Sequence, residues 1–227
     1  MARAKQPRLV GEPRPPALSR RLERIEAERF LRHPTWEEVE LIDPDLALVE
    51  AIEPRLTNLR IEGGDLGDAK LVHLTLDDSE LVRVGAANVK AERAVLRRVR
   101  IEGARMTGTA LGEAELADVR IEDSRLDYVG FGRARLVDVV FSRCSLRDVD
   151  FTGTRLLRVR FDGCDLTAAE FQDASFSGCE MIGCTIDDAR SIASLRGVAM
   201  PMGDILASAP AFAAALGITV LEHDHGG

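Results

Sequence analysis

From Leu56 to Ile186 the chain repeats every five residues without an insertion or deletion. The 27 positions Leu56, Ile61, Leu66, Leu71 and onward to Phe176, Met181 and Ile186 are Leu, Ile, Phe or Met in 25 cases. Ala86 and Ala91 are the exceptions. Two residues before each centre stands a second series, and 23 of its 27 members are Ala, Val, Ser, Thr or Cys. The other three positions of each unit are mostly Arg, Asp, Glu, Gly and Thr. A period of five is neither that of a helix nor that of an alternating strand. One unit cannot bury its large and small apolar residues alone, so units must stack into a continuous core. The pattern constrains a shape and leaves open what the shape binds.

This pattern resembles the pentapeptide-repeat family, whose motif A(D/N)LXX reads here, for example, as ARMTG from Ala104. The resemblance covers residues 56–186 and implies an all-β solenoid, a right-handed quadrilateral parallel β-helix with four units per square coil. About seven coils, roughly 32 Å of rod, follow at the inter-strand spacing, with short helical segments at both ends. The sequence agrees with a 20-residue coil. Phe131, Phe151 and Phe171 are 20 apart, as are Phe141 and Phe161, with Met181 continuing the second column. On the implied square these columns face each other, and Leu126, Leu146, Leu166, Leu136 and Leu156 fill the other two sides. From Ile61 to Ile121 the residues are smaller, as with Ile101 opposite Ala91, which predicts a slimmer half. Gly63, Gly103, Gly108, Gly153, Gly163, Gly178 and Gly183 fall two after a centre, where a tight corner calls for positive φ.

Outside the repeat, residues 1–17 hold four prolines and mixed charge and are expected to be disordered. Leu18, Leu22, Ile25, Phe30 and Leu31 predict an amphipathic helix ended by Pro34. Thr35 and Glu38 have capping-box spacing for a second helix, so residues 18–40 read as a helical cap on the open end. The register can be traced back through Val39/Leu41, Pro44/Leu46 and Val49/Ala51, giving a β-helix over 41–190. It fails after Arg190. Residues 191–217 then predict short helices, one capped by Asp204, one opened by Pro210 and ended by Gly217. Residues 218–227 form a tail. Ile205, Leu206, Phe212 and Leu216 make an apolar face that either closes the rod or pairs with a second copy. The resemblance favours a homodimer, because C-terminal elements join the family's gyrase-protecting members head to head.

Catalysis has little support in the chain. His33, His73, His223 and His225 are scattered or lie in the tail, and GxSxG, HExxH, GxGxxG and P-loop patterns are absent. No catalytic residue, cofactor or metal ligand is assigned. Cys144, Cys164, Cys179 and Cys184 all occupy the small inward position and read as packing in a reduced compartment. A net charge of −8 argues against direct nucleic-acid binding. With neither an apolar run of membrane length nor a signal-peptide core, a cytoplasmic setting without membrane contact is expected.

A non-enzymatic protein-interaction module remains. Some members of the family confer quinolone resistance by imitating duplex DNA to DNA gyrase, and the resemblance brings that antibiotic-resistance role here as the most specific reading. Between Arg55 and Arg190, 24 acidic residues face 20 basic ones, too balanced for DNA mimicry along the whole rod. Arg97, Arg98, Arg155 and Arg158 fall on one side and oppose it. The last stretch differs. Asp162, Asp165, Glu170, Asp173, Glu180, Asp187 and Asp188 stand there against Arg190 alone, a candidate acidic interaction surface. The alternative is a scaffold whose flat faces bind another protein, with no gyrase role.

Overall fold

Five-residue units alternate a large and a small inward side chain, and in the structure each unit forms one side of a four-sided coil. The structure is a computed structural model and describes residues 10–30 and 35–221. Strands Thr35–Ile42, Arg55–Glu62, Thr75–Val82, Val95–Glu102, Glu115–Glu122 and Arg135–Ser142 each cover two adjacent sides. They pair in parallel, every residue opposite the one 20 later. Shorter strands from Arg155 to Ile182 continue the stack. Single parallel bridges hold the third side, from Asp45↔Asp65 to Asp165↔Thr185, and most of the fourth, ending at Glu170↔Arg190. The solenoid has about nine turns rather than seven. The added turns lie mainly at the N-terminal end, where Trp36 and Leu41 stack beneath Leu56 and Ile61.

Every corner falls two residues after a centre and has positive φ, from Glu38 (58°) to Asp188 (54°). Seven corners are glycine, as expected, but Asp, Asn, Arg and Glu serve at most of the others. An L-residue there costs about 1–2 kcal/mol. Neighbouring coils hold the conformation: Tyr128 N–H donates to the Arg147 carbonyl at 2.9 Å, and Arg143 N–H to that of Asp162 at 2.8 Å.

Inside, the phenylalanines stack in the two columns foreseen. Ring centroids are 5.3 Å apart for Phe131–Phe151, 5.7 Å for Phe151–Phe171 and 5.1 Å for Phe141–Phe161. The columns meet edge to face across the interior, as in Phe151–Phe161 at 5.9 Å. In the half with smaller residues, Leu66, Leu71, Leu81 and Ala86 are only partly buried. The small inward positions have a second task. Many of these N–H groups turn back to the preceding centre's carbonyl, as Ala94 N–H does to Ala91 at 3.2 Å, but at three positions a side chain one coil on accepts the bond. Leu59 N–H donates to Ser79 Oγ (3.1 Å), Ala104 N–H to Ser124 Oγ (3.0 Å) and Val159 N–H to Cys179 Sγ (3.5 Å). Pro44 and Pro54 fit the same position without loss, having no N–H to satisfy.

The N-terminal expectations need correction. Residues 18–40 are not a helical cap: the only described helix there is Ala27–Phe30. Thr35–Ile42 is the first full strand of the solenoid and Glu38 its corner. Cross-coil pairing with Leu56–Glu62 outweighs the local capping spacing. Leu31 and Pro34 lie outside the described residues. Glu23–Arg24 pairs with Val39–Glu40 and covers the first sheet edge. Of the segment 1–17, the described part from Val10 lies extended along the rod, with Val10 and Pro13 buried.

At the other end, Ile192 and Leu195 close the core in a 3-10 turn, Val198–Ala199 adds a last strand edge, and helices Met202–Ala207 and Ala209–Ala215 follow. Pro210 opens the second helix and Gly217 follows it with φ 70°, as read. Asp204 does not cap the first. It lies in its opening turn, and its Oδ2 accepts the Gly183 N–H at 2.6 Å, tying the helix to the last coil.

Candidate interaction surfaces

A five-residue period with a 20-residue coil brings outward residues 20 apart into columns along the rod. Opposite charges at that spacing therefore pair. Arg98 chelates Asp78 and Arg158 chelates Asp138, each with two bonds of 2.6 Å. Arg143 holds Asp123 through two bonds of 2.7 Å, and Glu113 bridges Arg93 and Arg133. Hydrogen bonding to these guanidiniums holds Asp78, Asp123 and Glu113 below their ordinary carboxyl pKa values. Most arginines of the rod are thus committed to the rod itself, including Arg98 and Arg158 of the four on the first side. Such exposed pairs are worth little individually.

The seven acidic residues of the candidate surface do not share one face. By register, Asp162 and Glu180 lie on the second side, Asp165, Asp187 and Asp188 on the third, and Glu170 and Asp173 on the fourth. Three are paired within the chain. Glu180 is buried against Arg160 at 3.2 Å, Asp165 bonds Arg147 at 2.9 Å, and Glu170 bonds Arg190 at 2.9 Å. Burial raises the Asp165 carboxyl, but bonds from Thr167 and Arg147 outweigh it and leave the group below its usual value. Asp162, Asp173, Asp187 and Asp188 form no ion pair among the described residues, and the last three are exposed.

Residues 94–166 match the family model described as the pentapeptide repeat region. The rod is a pentapeptide-repeat solenoid. Its coil continues in the same register on either side of the matched segment, over 35–190. Among solved structures, a trypsin-treated form of QnrB1, a plasmid-mediated fluoroquinolone resistance protein, is 20% identical, covering 90% of this chain and 98% of that one, with a TM-score of 0.47. HetL, a pentapeptide repeat protein involved in heterocyst differentiation regulation in the cyanobacterium Nostoc sp., is 19% identical, covering 79% and 98%, with a TM-score of 0.32. No curated protein sequence matches the chain.

The four residues of the candidate dimer interface do not act as one face of this pentapeptide-repeat rod. Phe212 is half-buried and packs against the core, whereas Ile205, Leu206 and Leu216 are exposed. A cleft of about 630 Å³ separates the last coil, at Asp187, Asp188 and Ile192, from Pro210, Ala211 and Ala214 of the second helix. The thiols of Cys144, Cys164 and Cys184 form the inward column expected of them, each donating to a backbone carbonyl at 3.4–3.5 Å. Bonding to its two neighbouring thiols and burial push the Cys164 thiol up. Among the described residues no helix is long and apolar enough to cross a membrane.

One surface escaped the sequence reading. Val10 to Ser19 lies along the corner between the first and second sides, contacting Arg160, Asp118, Asp78 and Asn58 in turn. The only sequence signal was a remainder. In that corner column Asp78 has Arg98 and Asp138 has Arg158, while Asp118 is left over.

Proposed function

We propose that this pentapeptide-repeat protein is a non-enzymatic binding rod that docks on a protein partner and works as two chains joined at their C-terminal ends. The observation that carries this reading is the composition of that end. Leu206, Leu216, Ile218, Val220 and Leu221 are exposed within 16 consecutive residues, at 57–79%. Single exposed apolar side chains are ordinary, but such a concentration marks an interaction surface. The outer faces carry mixed-sign charge columns, which give a protein interface its specificity and register. Sedimentation tests the pairing. The 24.8 kDa chain is expected to run as a pair, and Leu206→Asp with Leu216→Asp to convert it to single chains. A wild-type protein that remains a single chain at tens of micromolar rules out the joint.

The net charge of the last coils supports a narrower reading, although Asp162, Asp173, Asp187 and Asp188 are divided over three sides and do not make one face. The partner is then DNA gyrase or a related topoisomerase, and the paired acidic ends imitate duplex DNA and protect the enzyme from inhibitors. Residues 161–190 carry a net charge of −6. Their coil and a half spans roughly 7 Å, where duplex DNA would present about four charges. Away from this end the balanced columns give the mimic no help. Gyrase supercoiling in the presence of ciprofloxacin decides the point: equimolar protein is expected to restore it. If supercoiling stays inhibited while the chains still pair, the gyrase reading is lost and the broader one stands.

A further inference from the structure

We propose that the corner lined by Asn58, Asp78 and Asp118, with Arg120 and Arg160 beside it, is a docking site for a polyproline II segment of a partner protein carrying the pattern Glu-Pro-Arg-Pro-Pro. In this reading the chain's own residues 10–19 are its resident, displaceable occupant.

Spacing along the rod matches spacing along the strap. The Arg14 N–H donates to Asp118 Oδ1 at 3.0 Å and the Ala17 N–H to Asp78 Oδ1 at 3.0 Å. Asp118 and Asp78 are 40 residues apart, two coils, which is about 9.6 Å along the rod at the inter-strand spacing. Three residues of polyproline II advance about 9.3 Å. The two residues between the donors are Pro15 and Pro16, which have no N–H to leave unpaired and which hold the chain extended. The Ser19 N–H then reaches Asn58 Oδ1, one coil further on, at 3.1 Å. A column of carboxylate and amide oxygens repeating with the coil therefore reads an extended chain whose donors are three apart across two coils and two apart across one.

Charge fixes position and direction. Arg14 chelates Asp118, the column acid without an arginine of its own, with bonds of 2.9 and 2.5 Å. Two residues earlier, Glu12 joins Arg120 and Arg160, which flank the buried Val140 by register. Arg160 also donates to the Val10 carbonyl and is 2% exposed. An acid and a base two apart thus meet a base pair and an acid on the rod, so the site accepts one direction of chain. Exchange is favoured by how the occupant is held. Between Val10 and Arg21 no hydrogen bond joins its backbone to the rod's backbone among the described residues. The Arg14 and Glu12 side chains stay 74% and 54% exposed in their pairs. Their rod-side partners, Asp118 at 9% and Arg160 at 3%, are covered by the strap, but because the strap takes no part in the coil ladder it opens while the coils stay folded.

The test uses the full chain and a labelled peptide of its residues 10–21 as the probe. In the variant Glu12→Ala, Arg14→Ala the resident strap is loosened, and the peptide is expected to bind at least tenfold tighter by fluorescence anisotropy than to the wild-type chain. Adding Asp118→Ala is expected to abolish that gain, with the circular dichroism of all three proteins unchanged. In wild type, the amides of Arg14, Ala17 and Ser19 are expected to exchange hydrogen well before coil amides such as Tyr128. Equal peptide binding to both chains, no binding to either, or strap amides as protected as the coils would overturn the proposal. So would an association between copies that the double variant loses, since the site would then serve the strap of a second chain.

Discussion

Truncating Phe151 to alanine tests whether the interior is packed or merely apolar. The ring is fully buried, stacked between Phe131 and Phe171 and met edge-on by Phe161. Burying a phenylalanine and then removing it costs about 3–5 kcal/mol, depending on how far the surroundings collapse. Here collapse is restricted, because each coil is pinned by backbone bonds above and below, such as Phe131 N–H to the Asp150 carbonyl and Phe151 N–H to that of Glu170. Lost ring–ring contacts act in the same direction. The upper end of the range, about 4–5 kcal/mol, is therefore expected. At an m-value of about 2 kcal/mol per molar urea, the midpoint falls by about 2 M. Leu71→Ala, at a partly buried centre in the slimmer half, should cost about 2 kcal/mol. Because a solenoid's stability is a sum of neighbour terms, the Phe151 variant is also expected to melt its C-terminal coils first. A midpoint shift no larger than that of Leu71→Ala would refute tight interior packing.

The inner-wall bonds predict that Ser79→Ala, which changes almost no volume, costs about 1–3 kcal/mol by leaving the buried Leu59 N–H without an acceptor. A loss within experimental scatter in urea melts would show that this N–H finds another partner. Acid sensitivity follows from Asp78, Asp118, Asp123 and Glu113, all held below their ordinary values by hydrogen bonds from arginines. A depressed folded-state pKa gives stability that is present above the unfolded value and lost as pH falls through the folded one. The melting temperature is therefore expected to be level from about pH 8 to 5 and to drop below about pH 4. Thermal scans that stay level down to pH 3 would count against these pairs.

The core was legible because each inward residue answers to a rule visible within five positions. Phe131, Phe151 and Phe171 announced their column by spacing alone, and so did Cys144, Cys164 and Cys184. The corners were half legible. Glycine marked seven of them, but Arg98, Tyr128 and Asp138 adopt the same left-handed conformation because coil pairing imposes it, and nothing in their side chains says so. The first coil was misread for a related reason. Thr35 and Glu38 carry a local helix signal, and the strand that overrides it depends on Arg55–Glu62 twenty residues on. The acidic set was found as a count, while its division over three sides and its partial neutralisation by Arg147, Arg160 and Arg190 needed the coil.

The strap was least legible, because its partners lie 39 to 150 residues away and it has no apolar period. Yet its sequence becomes intelligible once the rod is known. A fold that repeats at one fixed rise offers anything lying along it a ruler with a single graduation. A strand crossing the coils could not stay in register with that ruler without also meeting side chains from two sides. A polyproline II chain, which needs no internal hydrogen bonds and has a three-residue turn close to two coils, stays in step with acceptors from one corner alone. The pairing of Arg14, two prolines and Ala17 with Asp118 and Asp78 is thus a consequence of the five-residue period itself. The same period that fills the interior with Phe151 and its neighbours sets which extended segments the outside can hold.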